Sequence, residues 1–156
     1  MRACRPTAAI SFFWCGALVL IGAVKTSGAE PVPAVVYKAY SDVVAKPYAT
    51  SVAKLELQFH VLAAPGPLMG PSYVAPPELF DINLRRGRPD LKLVAFVVTD
   101  AAGKVIQLSV ISASDMIVAI VAGEKLSHVK WHPAHLGAIP VASAGIWQFE
   151  ATGIPK

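Results

Sequence analysis

Residues 91–111 read LKLVAFVVTDAAGKVIQLSVI, two apolar runs rich in β-branched residues around Asp100-Ala101-Ala102-Gly103. That pattern predicts an antiparallel hairpin. Gly103 is the residue suited to a left-handed backbone, because a type I turn closed by a positive φ returns the chain into the second strand with a bulge. In the first run Val94, Phe96 and Val98 alternate with Leu93, Ala95 and Val97, so both faces are apolar and the strand is expected to be central. In the second, Ile106, Leu108 and Val110 alternate with Val105, Gln107 and Ser109, so one face is wetter. A helix from about Asp115 to Ser127 follows, with Ser112 or Ser114 as its cap and Asp115 in its first turn. Met116, Ile117, Ile120 and Val121 supply its expected buried stripe. Lys125, His128 and Lys130 sit near its C-terminal end, where positive charge is favourable. Gly123 weakens it by about 1 kcal/mol relative to Ala. The chain then runs through Trp131-His132-Pro133-Ala134 and Gly137 to Pro140-Val141, and closes on a final strand at Ile146–Glu150.

This succession resembles the C-terminal domain of TonB-family energy transducers. The matching residues are Val98, Asp100, Gly103, Lys104, Val105, Trp131, Pro133, Ala134, Gly137, Pro140, Val141 and Phe149, and the match spans about Leu91–Glu150. The family's P-x-Y-P stretch is replaced upstream by Pro77-Glu78-Leu79-Phe80, and its Gly before the first strand by Arg88-Pro89-Asp90. The resemblance implies an α+β fold in which a small antiparallel sheet of ββαβ order, three strands, packs one face on a single helix. It also implies a function in protein interaction: such domains offer a sheet edge to a peptide segment of an outer-membrane receptor, which adds as a strand. That edge would be Ile146, Trp147, Gln148, Phe149 and Glu150. The partner would be an outer-membrane receptor segment or another envelope protein, and the compartment the periplasm of a Gram-negative cell.

The N-terminus supports export independently. Arg2 and Arg5 precede an apolar run from Ala8 to Val24 and the small residues Ser27-Gly28-Ala29, so residues 1–29 read as a signal peptide cleaved before Glu30. An uncleaved anchor is the competing reading, since the 18 residues from Thr7 to Val24 stand at the lower limit of a membrane span. Loss of Arg2, Arg5 and Lys25 lowers the basic count from 14 to 11 against 10 acidic residues. The mature chain is then nearly neutral and offers no basic face for nucleic acid. Cys4 and Cys15 leave with the segment, so the mature chain has no disulfide and no thiolate metal site. What remains, residues 30–156, is enough for one core.

Within that remainder, residues 30–75 are expected to form an N-terminal extension and residues 76–156 the TonB-like domain. Ala34–Ala45 shows helical spacing at Val36, Tyr40, Val43 and Val44, ended by Pro47. Leu55–Val61 alternates apolar with polar and predicts a half-buried strand, a candidate to add to the three-stranded sheet. Pro65–Pro77, with five prolines and two glycines, reads as a linker. Pro77 suits the start of a helix running to Leu84, with Arg85 and Arg86 in its last turn and Gly87 as its stop. Arg85, Arg86 and Arg88 complement that helix end.

His128, His132 and His135 have ligand-like spacing, but no carboxylate lies near in sequence to orient the rings, and no metal or other cofactor is expected. The mature chain has no G-x-S-x-G, H-E-x-x-H, P-loop, dinucleotide fingerprint or nucleophilic Cys, so catalysis is not expected either. Trp131 and Trp147 read as packing residues rather than a stacking pair for a ligand. Two other readings remain: a short membrane-tethered transducer, distinguished by retention of residues 1–29, and a small secreted enzyme or ligand-binding protein, distinguished by a pocket with convergent polar groups.

Overall fold

In chain order the elements are β1 (Val36–Lys38), α1 (Asp42–Ala45), a 3₁₀ turn at Lys46–Tyr48, α2 (Ala49–Gln58), β2 (Val61–Leu62), β3 (Leu68–Met69), β4 (Ser72–Tyr73), α3 (Ile82–Arg85), β5 (Leu91–Thr99), β6 (Val105–Ala113), α4 (Met116–Ser127), β7 (Trp131–His132), β8 (Ala134–Leu136), β9 (Ile139–Val141) and β10 (Ser143–Ala151). The computed structural model describes residues 33, 35–75 and 77–155; the proposed signal peptide lies outside them. Among the described residues no helix is long and apolar enough to cross a membrane.

The fold is mixed α+β, built on an open five-stranded sheet in the order β2-β1-β10-β5-β6. This corrects the three-stranded antiparallel sheet expected from sequence: β1 runs parallel to both β10 and β2. A three-stranded sheet β3-β8-β9 and a β4-β7 pair sit beside it. Strand β5 is interior, between β10 and β6, in keeping with its two apolar faces, and a separate layer packs on each. On one face Leu91, Leu93, Ala95 and Val97 meet Val118, Ala122 and Leu126 of α4, together with Trp131. On the other, Val94, Phe96 and Val98 meet Val36, Val52, Leu55, Phe59 and Ile146. Each large side chain fully buried here contributes roughly 1.5–3 kcal/mol of transfer free energy.

The hairpin closes at Gly103, whose φ is +80°. The Asp100 carboxylate accepts hydrogen bonds from the backbone N–H of Ala102 at 2.8 Å and of Lys104 at 2.9 Å, which locks the turn. Helix α4 is capped by Asp115, whose Oδ1 accepts from the Val118 N–H at 2.9 Å. Ser114, one of the two expected caps, instead accepts from the backbone N–H of Lys92 on β5. Of the expected stripe on α4 only Val121 packs against the core, partly buried. Met116, Ile117 and Ile120 are exposed, at 59, 52 and 59 %, whereas Val118, Ala122 and Leu126 are fully buried. The helix is apolar all round through Val121, so composition does not select a face; the close fit at Gly123, where a Cβ would stand 3.3 Å from Val110 Cγ2, does.

The N-terminal residues are built into the sheet and its second core rather than standing apart as an extension. The helix expected over Ala34–Ala45 is a strand followed by one helical turn, because Val36 and Tyr37 find partners on both sides, in β2 and β10. The strand expected at Leu55–Val61 is mostly the end of α2. Val52, Leu55 and Phe59 are buried at helical spacing while Leu57 is 79 % exposed, so an i, i+4 pair had mimicked a period of two. Pro47 enters the 3₁₀ turn that leads into α2 and does not stop the helical segment. The helix expected from Pro77 is the single turn α3, because Asp81 caps it by accepting from the Leu84 N–H at 2.9 Å. Gly87, with φ +68°, ends it as expected. The arginines there hold structure: Arg85 Nε donates to the Thr152 carbonyl at 2.8 Å, and Arg88 pairs with Asp115.

Candidate functional site

The residues expected to form a recognition edge, Ile146–Glu150, lie in the second half of β10. Along its inner side β10 pairs with β5 without a register break, from Ser143↔Thr99 to Ala151↔Leu91. On its outer side β1 covers only the start: the Tyr37 N–H donates to the Ala142 carbonyl at 3.0 Å and the Ala39 N–H to the Ala144 carbonyl at 2.8 Å. Ala142 and Ala144 thus direct their backbone groups outward, and strand alternation directs those of Ile146, Gln148 and Glu150 the same way. Among the described residues no strand pairs with these three on that side. Ser143 and Ala144, which precede the expected edge, face β1.

A polar cluster determines where the open stretch begins. Lys38, the last residue of β1, binds Asp42 Oδ1 at 2.6 Å and Glu56 Oε1 at 3.3 Å, and its ammonium lies 5.0 Å from the Tyr40 ring centroid. The Tyr40 hydroxyl donates to Glu56 at 2.6 Å. Burial first, and then this bond to Glu56, push the Tyr40 phenol far above its ordinary value, so it remains a donor. The hydrogen bond to Asp42 raises the Lys38 ammonium, and Lys38 in turn holds the Asp42 carboxyl below the usual carboxylate range. These contacts bend the chain at Tyr40-Ser41 into α1 and away from the sheet.

The two faces flanking the edge differ. Trp147 and Phe149 project into an aromatic cluster with Trp131 and Tyr73: ring centroids lie 4.5 Å apart for Trp131–Trp147, 5.0 Å for Tyr73–Trp147 and 6.0 Å for Tyr73–Phe149. The tryptophans therefore pack against each other in the core. Trp131 Nε1 is sealed from solvent with no hydrogen-bond partner, surrounded by rings that can accept only weakly. On the other face Ile146 is buried while Gln148 and Glu150 are exposed, and Glu150 meets Lys92 at 3.1 Å. Such an exposed pair contributes little.

Sequence reasoning missed Tyr73, which lies in the stretch read as a linker. Its β-favouring surroundings, Ser72-Tyr73-Val74, were the available signal, and β4 forms there against β7. The histidines are dispersed. His128 caps α4, His132 pairs with Ser72, and His135 lies between Met69 and Pro140. Among the described residues no three His, Cys, Asp or Glu side chains are grouped to hold a metal. His60, read as a strand residue, follows α2 with φ +50°.

Comparison of the chain with protein-family models, curated proteins and solved structures gave no match.

Proposed function

We propose that this chain is a periplasmic protein-interaction module that captures an extended segment of an envelope protein, such as an outer-membrane receptor, as a strand added along Ile146–Glu150. The observation that carries this reading is the outward row of backbone donors and acceptors at Ile146, Gln148 and Glu150, beyond the point where β1 leaves the sheet. Unpaired strand edges are templates for a further strand, and proteins that do not use them usually cover them. The order β5, β6, α4, β10, with β7–β9 inserted before the last strand, supports the TonB-like ββαβ reading of the C-terminal half.

Each net hydrogen bond contributes only about 0.5–1.5 kcal/mol, so backbone pairing supplies modest affinity, and contacts beside Trp147 and Phe149 would supply selectivity. Because Gln148 points outward, Gln148→Pro deletes one edge donor without removing a bond to β5. It is expected to abolish capture of a partner from envelope extract while circular dichroism stays native, whereas Gln148→Ala binds like the parent. Equal capture by a folded Gln148→Pro variant would refute strand addition at this edge.

A further inference from the structure

At the far side of the sheet, between α2 and β6, lies a narrow cavity of about 150 Å³. Its apolar walls are the side chains of Leu55 and Ile111, the Val110 side chain being turned to α4, and its polar lining includes Lys54, Gln58 and Ser109. Ser109 stands opposite Phe96 on the α2 face of the sheet and is 3 % exposed. No group among the described residues hydrogen-bonds its hydroxyl. Nor is that hydroxyl sealed away, since Trp131 Nε1 is the one sealed side-chain donor or acceptor without a partner among the described residues. The hydroxyl therefore opens on the cavity.

The volume suits a molecule of about six heavy atoms. Water fills such a space poorly where the lining is mostly apolar, because each water needs two to four polar partners. Lys54 is exposed at the rim, and no carboxylate among the described residues pairs with it. We propose that this cavity binds a small monocarboxylate. Its short aliphatic body lies on Leu55 and Ile111, one carboxylate oxygen accepts a hydrogen bond from Ser109, and the Lys54 ammonium balances the charge. A charge-assisted bond to an oxygen anion is stronger than a neutral one, which favours the carboxylate over an alcohol of the same shape.

The test is titration of the full chain with sodium butanoate, followed by amide NMR shifts at Leu55, Ser109, Val110 and Ile111, with sodium chloride as the ionic-strength control. Saturable shifts with butanoate and weaker ones with butan-1-ol are expected. Lys54→Gln is expected to weaken butanoate about tenfold and leave butan-1-ol unchanged. Ser109→Val narrows the cavity, removes the hydroxyl and is expected to weaken both; should it misfold by circular dichroism, Ser109→Ala, which keeps the space and loses the hydroxyl, is expected to weaken butanoate about fivefold. Absence of saturable butanoate shifts at these amides overturns the proposal, as does butanoate binding that neither Lys54→Gln nor Ser109→Ala changes.

Discussion

The rim formed by β6 and the outer half of β10 are both long runs of strand with a partner on one side only, yet they are finished differently. On β6, Leu108, Ser109, Val110 and Ile111 are only 1, 3, 6 and 8 % exposed, because α2 and α4 overhang the two faces of the strand. The Gln107 side-chain amide, at 3.4 Å, also donates to the Leu108 carbonyl. On β10, Gln148 and Glu150 are exposed and β1 has already left. One rim is protected against stray pairing and the other is left open, which is the distribution expected when only one of them has a use.

The largest effect that would break this contrast is a proline at each rim. Ser109→Pro places a ring in a strand covered on both faces and is expected to cost about 3 kcal/mol or more, whereas Gln148→Pro should cost well under half of that. Urea midpoints of the two variants decide it; similar losses would mean that β10 is as closed as β6. Next in size is Gly103→Val. A Cβ at Gly103 would lie 2.1 Å from the Trp131 carbonyl oxygen, and the φ of +80° resists a β-branched residue. The expected loss is roughly 2–5 kcal/mol, and an unchanged midpoint would show that the turn of the closed rim is not seated against β7.

A smaller effect comes from the cap that braces α4 over β6. Partial burial raises the Asp115 carboxyl, but the Val118 N–H and Arg88 outweigh it and hold it below the ordinary range. Asp81 is lowered chiefly by Lys125 and then by the Leu84 N–H. Since both folded values lie below the unfolded ones, their contribution is present above the unfolded value of about 3.9 and is lost as pH falls through the folded values. Asp115→Ala should cost about 1 kcal/mol at pH 7 and flatten the acid limb of the stability profile below about pH 4. A variant whose profile overlays the parent's at both pH values would remove Asp115 from the bracing of the closed rim.

The closed rim was partly legible in sequence and its cover was not. The hairpin, Gly103 and the two apolar faces of β5 could be read directly, because β-branched runs and turn residues act locally. The double burial of β5 already required a layer on each face, but the helix on the second face was read as a strand, since Leu55 and Phe59 satisfy both periods over seven residues. The face of α4 was hidden by an apolar composition all round. The place where β10 becomes open depends on Lys38, Tyr40, Asp42 and Glu56, a long-range cluster that no spacing announces. Tyr73 was obscured by the prolines around it.

The smallest predicted change concerns that hidden cover. His60 turns the chain from α2 into β2 with φ +50°, in the left-handed region that L-residues enter at a cost. Glycine removes this cost but adds freedom to the unfolded chain, so His60→Gly is expected to stabilise by only about 0.5 kcal/mol. His60→Val, whose branched side chain resists positive φ more strongly, should lower stability instead. Hydrogen exchange ties the pair to the two rims: if α2 is what covers β6, His60→Gly should slow exchange at the Ser109–Ile111 amides and leave Gln148 and Glu150 unchanged. Equal slowing at both sites would mean that the substitution acts on global unfolding alone, and that the cover over β6 does not open independently of the rest of the sheet.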